Sequence, residues 1–384
     1  MDGERQSDLS AWPSLESLFE DPATRGLTRV GVVDVGSNSV RLVVFDGAAR
    51  SPAYFYNEKV MAGLGAGLQS TGTLNADGRS RAKAALARFV ALAEGMDIAP
   101  LAAVAAAAVR RATDGPDFVA EIKDELGLDL TVIDGEEEAR LSAQGVLLGW
   151  PDGAGLVCDI GGSSMELARI GSGRVWERAT SDLGPFHLES LKGGAKGRAK
   201  AIAAGLAPIL KKIGPHPRLY LVGGSWRAIA RLDMHRRSYP LAVLHDYQMT
   251  PGDVAATLDS LQGRDLETFR KEVGLSSARI SLVPVAGEVL RQLIQTFGVR
   301  EITISGYGLR EGLLYEQMPP RIRASDPLIE AARHAERLNA RLPGFGERLY
   351  DFIAPIFAGG PTDLRLHRAA CHLHDVSWRA HPDY

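Results

Sequence analysis

The stretch RVGVVDVGSNSVRLVVF, residues 29–45, decides how this chain is read. An apolar run ends in Asp34, a polar glycine-bearing turn follows, and a second apolar run returns. Valine-rich runs around a Gly/Ser/Asn cluster predict a β-hairpin. The pattern comes back at 155–170 as GLVCDIGGSSMELARI, with Asp159 where the first copy has Asp34. Two copies of strand, Asp, hydrophobic residue, glycine-rich turn and strand predict a duplicated architecture, two similar lobes facing one cleft. Two further strand-to-glycine turns follow, LYLVGGSW at 219–226 and ITISGYGL at 302–309.

Between these turns the pattern alternates. Ala, Leu and Arg at helical spacing predict a helix over 78–93, the apolar run 101–108 a buried strand, and 117–126 another helix. Residues 136–148 predict a helix whose first turn carries Glu136, Glu137 and Glu138, well placed against the positive end of the helix dipole. After Pro319 and Pro320 glycine turns give way to Arg, His and Ala, which sets a boundary there. Residues 1–28 are acidic and punctuated by Trp and Pro, with neither a positive nor an apolar leader region, and read as a loosely held arm. The expected division is an arm at 1–28, a first lobe at 29–145, a second at 146–318 and a helical segment at 319–384.

Composition agrees with several domains: 384 residues, 45% hydrophobic and 24% charged, exceed what one core usually takes up. A net charge of -3 lacks the broad basic surface of a general nucleic-acid binder, so any polyanion is handled locally. The longest apolar run, 101–109, falls far short of the roughly 18 residues of a membrane helix, so a cytoplasmic protein without a membrane partner is expected. Cys158 and Cys371 are far apart and lack metal-ligand spacing, which suits a reducing compartment and inert buried thiols.

A Gly/Ser/Asn turn after a strand exposes backbone amides and hydroxyls that can surround phosphate oxygens, and glycine lets the backbone come close. One such turn is weak evidence, whereas two matched copies each preceded by Asp are stronger. Asp34 and Asp159 could hold a hydrated magnesium ion between two phosphate loops, since magnesium favours few carboxylates, waters and phosphate oxygens. Alternatively, each bonds its own turn amides. Lys192, Lys196, Arg198, Lys200, Lys211 and Lys212 form either a solvated helix face or a track for a polyanion. No aromatic residue interleaves them, which disfavours stacking of single-stranded nucleic acid.

Six stretches in order, DVGSNSVRL (34–42), AVRRATD (108–114), GEEEARL (135–141), DIGGSSMEL (159–167), VGGSWRA (222–228) and SGYGLREGLLY (305–315), resemble the motifs of the exopolyphosphatase/guanosine pentaphosphate phosphatase family. The resemblance implies an α/β fold of two actin-like (ribonuclease H-like) domains with the active site in the interdomain cleft. It also implies a C-terminal helical segment similar to the start of the HD-like domain of longer members, whether or not that domain is truncated here. The activity implied is magnesium-dependent, stepwise removal of terminal phosphate from inorganic polyphosphate. Alternatives are guanosine pentaphosphate as substrate, a non-catalytic polyphosphate or alarmone sensor, and an ATP-using phosphotransferase, which a glutamate positioned for water argues against. A homodimer is common among such relatives.

Carried over by position, the resemblance makes Gly36, Ser37, Asn38 and Ser39 the first phosphate loop, with Arg41 just beyond it. Arg110 becomes a substrate-phosphate arginine and Glu138 the general base. Asp159 and Glu166, with Asp34, become the magnesium (Mg2+) positions. Gly161, Gly162 and Ser163 form the second loop, Gly223, Gly224 and Ser225 a third, and 305–310 a fourth. These residue types suit phosphoanhydride hydrolysis, which needs neutralised phosphoryl charge and an aligned water. Two departures stand out: Ser163 where a third glycine is commoner, and Ala106 where a threonine is usual. His374 and Asp375 invite a metal reading but lack further ligands from other helices, so His367, His372 and His374 are taken as structural. Arg111 is read as a surface ion-pair partner.

Overall fold

The computed structural model describes residues 29–46, 49–98, 101–264, 270–357 and 363–378. The chain divides into two compact units, the larger joining Arg29–Phe45 to Tyr54–Gln317 and the smaller containing Asp46–Ala53 and Met318–Tyr384.

Two sheets lie in the larger unit. The first contains β1 (Val30–Val35), β2 (Val40–Phe45), β3 (Tyr54–Val60), β4 (Leu101–Ala105) and β5 (Leu130–Val132), in the order β3-β2-β1-β4-β5. The second contains β6 (Gly155–Ile160), β7 (Met165–Gly171), β8 (Arg174–Ser181), β9 (Arg218–Val222), β10 (Gln248–Met249) and β11 (Glu301–Ile304), in the order β10-β11-β9-β6-β7-β8. Followed from the hairpin edge, β8-β7-β6-β9-β11 retraces β3-β2-β1-β4-β5, with antiparallel pairs first and a parallel pair next. The repeat in the sequence is therefore a repeat of topology, with β10 added at one edge. This is the two-domain actin-like α/β architecture.

Its central strands are buried on both faces, as parallel-paired strands must be. Val30, Val32, Val33 and Val35 of β1 are buried, as are Leu156, Val157, Cys158 and Ile160 of β6. Helix α1 (Ala76–Gly95) lays Ala82, Ala85, Leu86 and Phe89 into the core of the first sheet, and Asn75 caps it by accepting from Gly78 N at 2.8 Å. Removing such a cap costs about 1 kcal/mol. Next come α2 (Ala107–Arg111), α3 (Gly115–Leu126) and α4 (Gly135–Gly149), the last capped by Asp134, whose Oδ1 accepts from Glu137 N at 2.7 Å. The strand expected over 101–108 stops at Ala105, opposite Val35 where β1 itself ends. Beyond that point no ladder partner remains, and an alanine run, the best of helix formers, turns into α2.

The second sheet is covered by α5 (Gly194–Ile213), α6 (Gly224–Arg236) and α7 (Val283–Phe297), while α8 (Leu309–Gln317) crosses α4. That crossing is built on glycine. A Cβ at Gly145 would meet Gly308 O, and one at Gly312 would meet Leu141 O, closer than atoms can pack. On α5, Arg198 pairs with Glu288 and Lys212 with Glu136, so part of the basic stretch is engaged in ion pairs.

The smaller unit is helical, with α9 (Pro327–Asn339), α10 (Phe345–Phe357) and α11 (Leu364–Leu373). Buried His372 bridges two carboxylates, Nδ1 at 2.6 Å from Glu336 Oε2 and Nε2 at 3.1 Å from Glu347 Oε2. His374 donates from Nδ1 to Cys371 O at 2.7 Å, and Asp375 accepts from Arg341. The His374-Asp375 pair is thus divided between separate local partners. Both cysteines are buried free thiols. Among the described residues no helix is long and apolar enough to cross a membrane.

Candidate active site

The two hairpin turns close in the same way. Gly36 N donates to Ser39 O and Gly161 N to Ser164 O, each at 3.0 Å. The carbonyls face the scaffold: Ser37 O accepts from Gly65 N, Asn38 O from Gly63 N and Gly162 O from Phe186 N, at 2.8, 2.9 and 2.8 Å. Among the described residues nothing accepts from the amides of Ser37, Asn38 and Ser39, or from those of Gly162, Ser163 and Ser164. Ser37 of the first loop and Ser163 of the second line one cavity of about 130 Å³. Ser163 is not among the residues with positive φ, so serine serves where glycine is commoner. Arg111 also lines this cavity while pairing with Asp182.

The third turn brings Gly223, at φ +114°, against the second strand. A Cβ there would lie 2.9 Å from Ile160 O and 3.0 Å from Asp159 Oδ1. With Gly224 and Ser225 it opens α6, whose first amides form the positive end of a helix. The fourth turn is different. Gly306 N donates to His245 Nδ1, Tyr307 N to Ser305 Oγ and Gly308 N to Glu311 Oε2, at 3.1, 3.0 and 2.7 Å. Its amides are used internally, and Arg227 holds the carbonyls of Ser305 and Gly306 at 3.1 and 3.0 Å. What this turn offers is the side chain of Arg310.

Across the strands next to each loop, the two hairpins diverge. In the first sheet Asp34 lies opposite Arg41, and Arg41 opposite Lys59. In the second Asp159 lies opposite Glu166, and Glu166 opposite Thr180. Arg310 Nη1 donates to Asp34 Oδ2 at 3.0 Å, and Arg41 Nε to Asn57 Oδ1 at 2.8 Å. Burial, then the neighbouring charges of Arg310 and Arg227, pull the Arg41 pKa down against Glu311 and Asp34. Burial followed by Arg279, Arg41 and Arg310 does the same to Lys59. Five cations, Arg41, Lys59, Arg227, Arg310 and, beside Lys59, Arg279, thus lie in one region together with the carboxylates of Asp34 and Glu311, which offset part of their repulsion.

The other side collects carboxylates. Ser142 donates to Asp159 Oδ2 at 2.5 Å, and Thr180 to Glu166 Oε1 at 3.1 Å. Glu166 is 1% exposed, and its Oε2 has no hydrogen-bond partner. Glu138, in the first turn of α4, is also unsatisfied at Oε2, which lies 3.7 Å from Arg110 Nη1. Arg110 spends that same nitrogen on Ile133 O at 2.6 Å. Burial first, then the charge of Asp159, push the Glu138 carboxyl up to about 7, against the pull of Arg110. Glu166 is raised by burial, then by Glu138 and Asp159, and Asp159 by burial against its bond from Ser142.

The residues expected at the site are therefore brought together, with Asp34 held by Arg310 and its charge felt at Asp159 and Glu138. Among the described residues no group of three or more His, Cys, Asp or Glu side chains is arranged to hold a metal. A magnesium ion nonetheless fits the donors present. Glu166 Oε2 is buried without a partner, directly across the ladder from Asp159, and this ion uses one or two carboxylates, completing its shell with water and phosphate. Sequence reasoning missed Lys59, Ser142, Arg227 and Arg279. Arg227 lay inside the quoted VGGSWRA stretch, and Lys59 was legible only through the pairing of β3 with β2.

The model of the Ppx/GppA phosphatase family matches residues 43–321. The crystal structure of an Aquifex aeolicus member of that family is 25% identical, with a TM-score of 0.65 over 76% of this chain and 97% of its own. An exopolyphosphatase from Cytophaga hutchinsonii has the same fold, at 24% identity and a TM-score of 0.68 over 76% of this chain and 98% of its own. The family match takes in the Arg110, Glu138, second-loop and Arg310 positions, and the chain belongs to the Ppx/GppA phosphatase family.

Proposed function

We propose that this protein is an exopolyphosphatase that hydrolyses the terminal phosphate of inorganic polyphosphate one unit at a time. The observation that carries this reading is the polarised site: an unsatisfied Glu138 carboxylate beside Arg110, two loops with unused amides, and five crowded cations. Glu138 orients the attacking water and accepts its proton, which suits a carboxyl held near 7. Arg110 and the loop amides meet the charge on the transferred phosphoryl group. The cation cluster is larger than one terminal phosphate requires and suits the rest of an extended chain. Magnesium would be held by Glu166 and Asp159, and when bound it neutralises phosphate oxygens.

The test is orthophosphate release from long-chain polyphosphate and from guanosine pentaphosphate, side by side, with magnesium and with EDTA. Magnesium-dependent release from polyphosphate is expected. Release from the nucleotide alone would replace the substrate, and release from neither would leave a binding protein. Glu138→Gln keeps size and most hydrogen bonding, so polyphosphate binding should survive while turnover is lost; unchanged turnover would sink the assignment of the base.

A further inference from the structure

A larger cavity, of about 450 Å³, opens on the second sheet at the starting ends of its strands. It borders Arg218, the first residue of β9, whereas the third catalytic loop begins at Gly223 beyond the other end of that strand. Five residues at about 3.3 Å each put roughly 17 Å between the two. The size falls within the usual range for a small-molecule pocket.

Its lining is ordered by chemistry. At one end stand Arg218 and Arg300, at the starts of neighbouring strands, and Arg237 also lines the cavity. Arg218 pairs with Glu301 at 2.7 Å, while Arg237 donates to the Tyr247 hydroxyl at 3.4 Å, with its guanidinium 5.9 Å from that ring, and lies 3.5 Å from Asp233 and 3.9 Å from Asp253. Exposed Arg300 has no side-chain partner among the described residues. The middle is walled by Trp150 and Tyr220, their ring centroids 5.2 Å apart. At the far end stands Asp246, whose N-H donates to Ile304 O at 2.9 Å. Its φ of +64° is unusual for a residue other than glycine and is kept where surroundings impose it. Its carboxylate also has no partner among the described residues.

The register fixes this order. Arg218 lies opposite Glu301, Gln248 opposite Thr303, and Asp246 is bonded one residue further on, at Ile304. Guanidiniums, an aromatic wall and the Asp246 carboxylate match a phosphate, a flat ring and a ring edge bearing N-H donors. Three lining carboxylates, Asp246, Asp253 and Glu301, balance the three arginines, so the cavity suits one phosphate and disfavours a chain of them. We propose that this cavity binds a purine nucleoside monophosphate, with its phosphate on Arg300 and Arg237 and its base edge at Asp246.

Isothermal titration of the full chain with AMP and GMP, in parallel with inorganic phosphate and the two nucleosides, tests this. At least one mononucleotide should bind saturably at one site per chain, at least tenfold more tightly than phosphate or nucleoside. Arg300→Glu, a surface change, should weaken it at least tenfold, and Asp246→Ala should weaken the nucleotide while leaving phosphate unchanged. Arg310→Ala, at the catalytic loops, should leave the binding alone. Absence of saturable binding, equal binding of free phosphate, indifference to Arg300→Glu, or loss in Arg310→Ala would each overturn the proposal.

Discussion

The hairpins β1–β2 and β6–β7 share sheet position, a penultimate aspartate and a turn closed by the same 3.0 Å bond, yet the side chains across from the two aspartates carry opposite charge. The difference begins at one matched position, Arg41 in the first and Glu166 in the second, each directly across from the aspartate. Asp34 takes a bond from Arg310, while Asp159, which also feels the charges of Arg227 and Arg310, faces buried Glu166 and takes its bond from a neutral hydroxyl. Repetition of the backbone supplies two sets of loop amides, and the side chains facing the aspartates divide the labour. On the function proposed above, one hairpin would gather the substrate's negative charge and the other would prepare the attack on it.

That division can be broken in order of expected effect. Glu138→Gln should lower kcat on polyphosphate by about a thousandfold, the middle of the range for a positioned base, with KM nearly unchanged. Glu166→Gln should lower kcat by about a hundredfold and raise the magnesium concentration needed for half-maximal rate, read from a magnesium titration. Arg41→Gln should instead raise KM about tenfold with kcat within threefold, as expected for a lost charge-assisted contact present in ground and transition states alike. If Arg41→Gln depressed kcat and Glu166→Gln only KM, the roles assigned to the two hairpins would be reversed.

The pH profile sharpens the same contrast. A base works when ionised, and Glu138 is raised to about 7, so kcat/KM should climb as pH rises towards 7 and level off above it. Arg110 opposes that rise, so Arg110→Gln should move the acid limb to higher pH. Movement in the other direction would mean that another group sets the limb. The smallest effect belongs to the tail: Asp375→Asn breaks its pairing with Arg341 and should leave phosphate release within twofold.

Much of this was legible because it is local. A valine run that ends in Asp34 and a Gly/Ser turn fixes a hairpin within seventeen residues, 29–45, and its second copy fixes the duplication. Glu138 was legible as a helix-start carboxylate, and Asp134 caps that helix. What escaped depends on register and distant packing. Lys59 reaches Arg41 only because β3 pairs with β2, Arg279 arrives on a four-residue helix, and Ser142 meets Asp159 only once α4 lies against β6. The alanine run at 101–108 carried no side-chain signal for its change from strand to helix; the end of β1 decided it.

The inward-turned amides of residues 306–308 affect how binding is driven. Because His245, Ser305 and Glu311 hold that turn, and Arg227 is tied to two of its carbonyls, two of the crowding cations rest on a framework ordered during folding. A flexible basic segment loses conformational entropy when it closes on a polyanion; for the substrate proposed above, much of that loss would already have occurred, and attraction would be converted into affinity with little rearrangement.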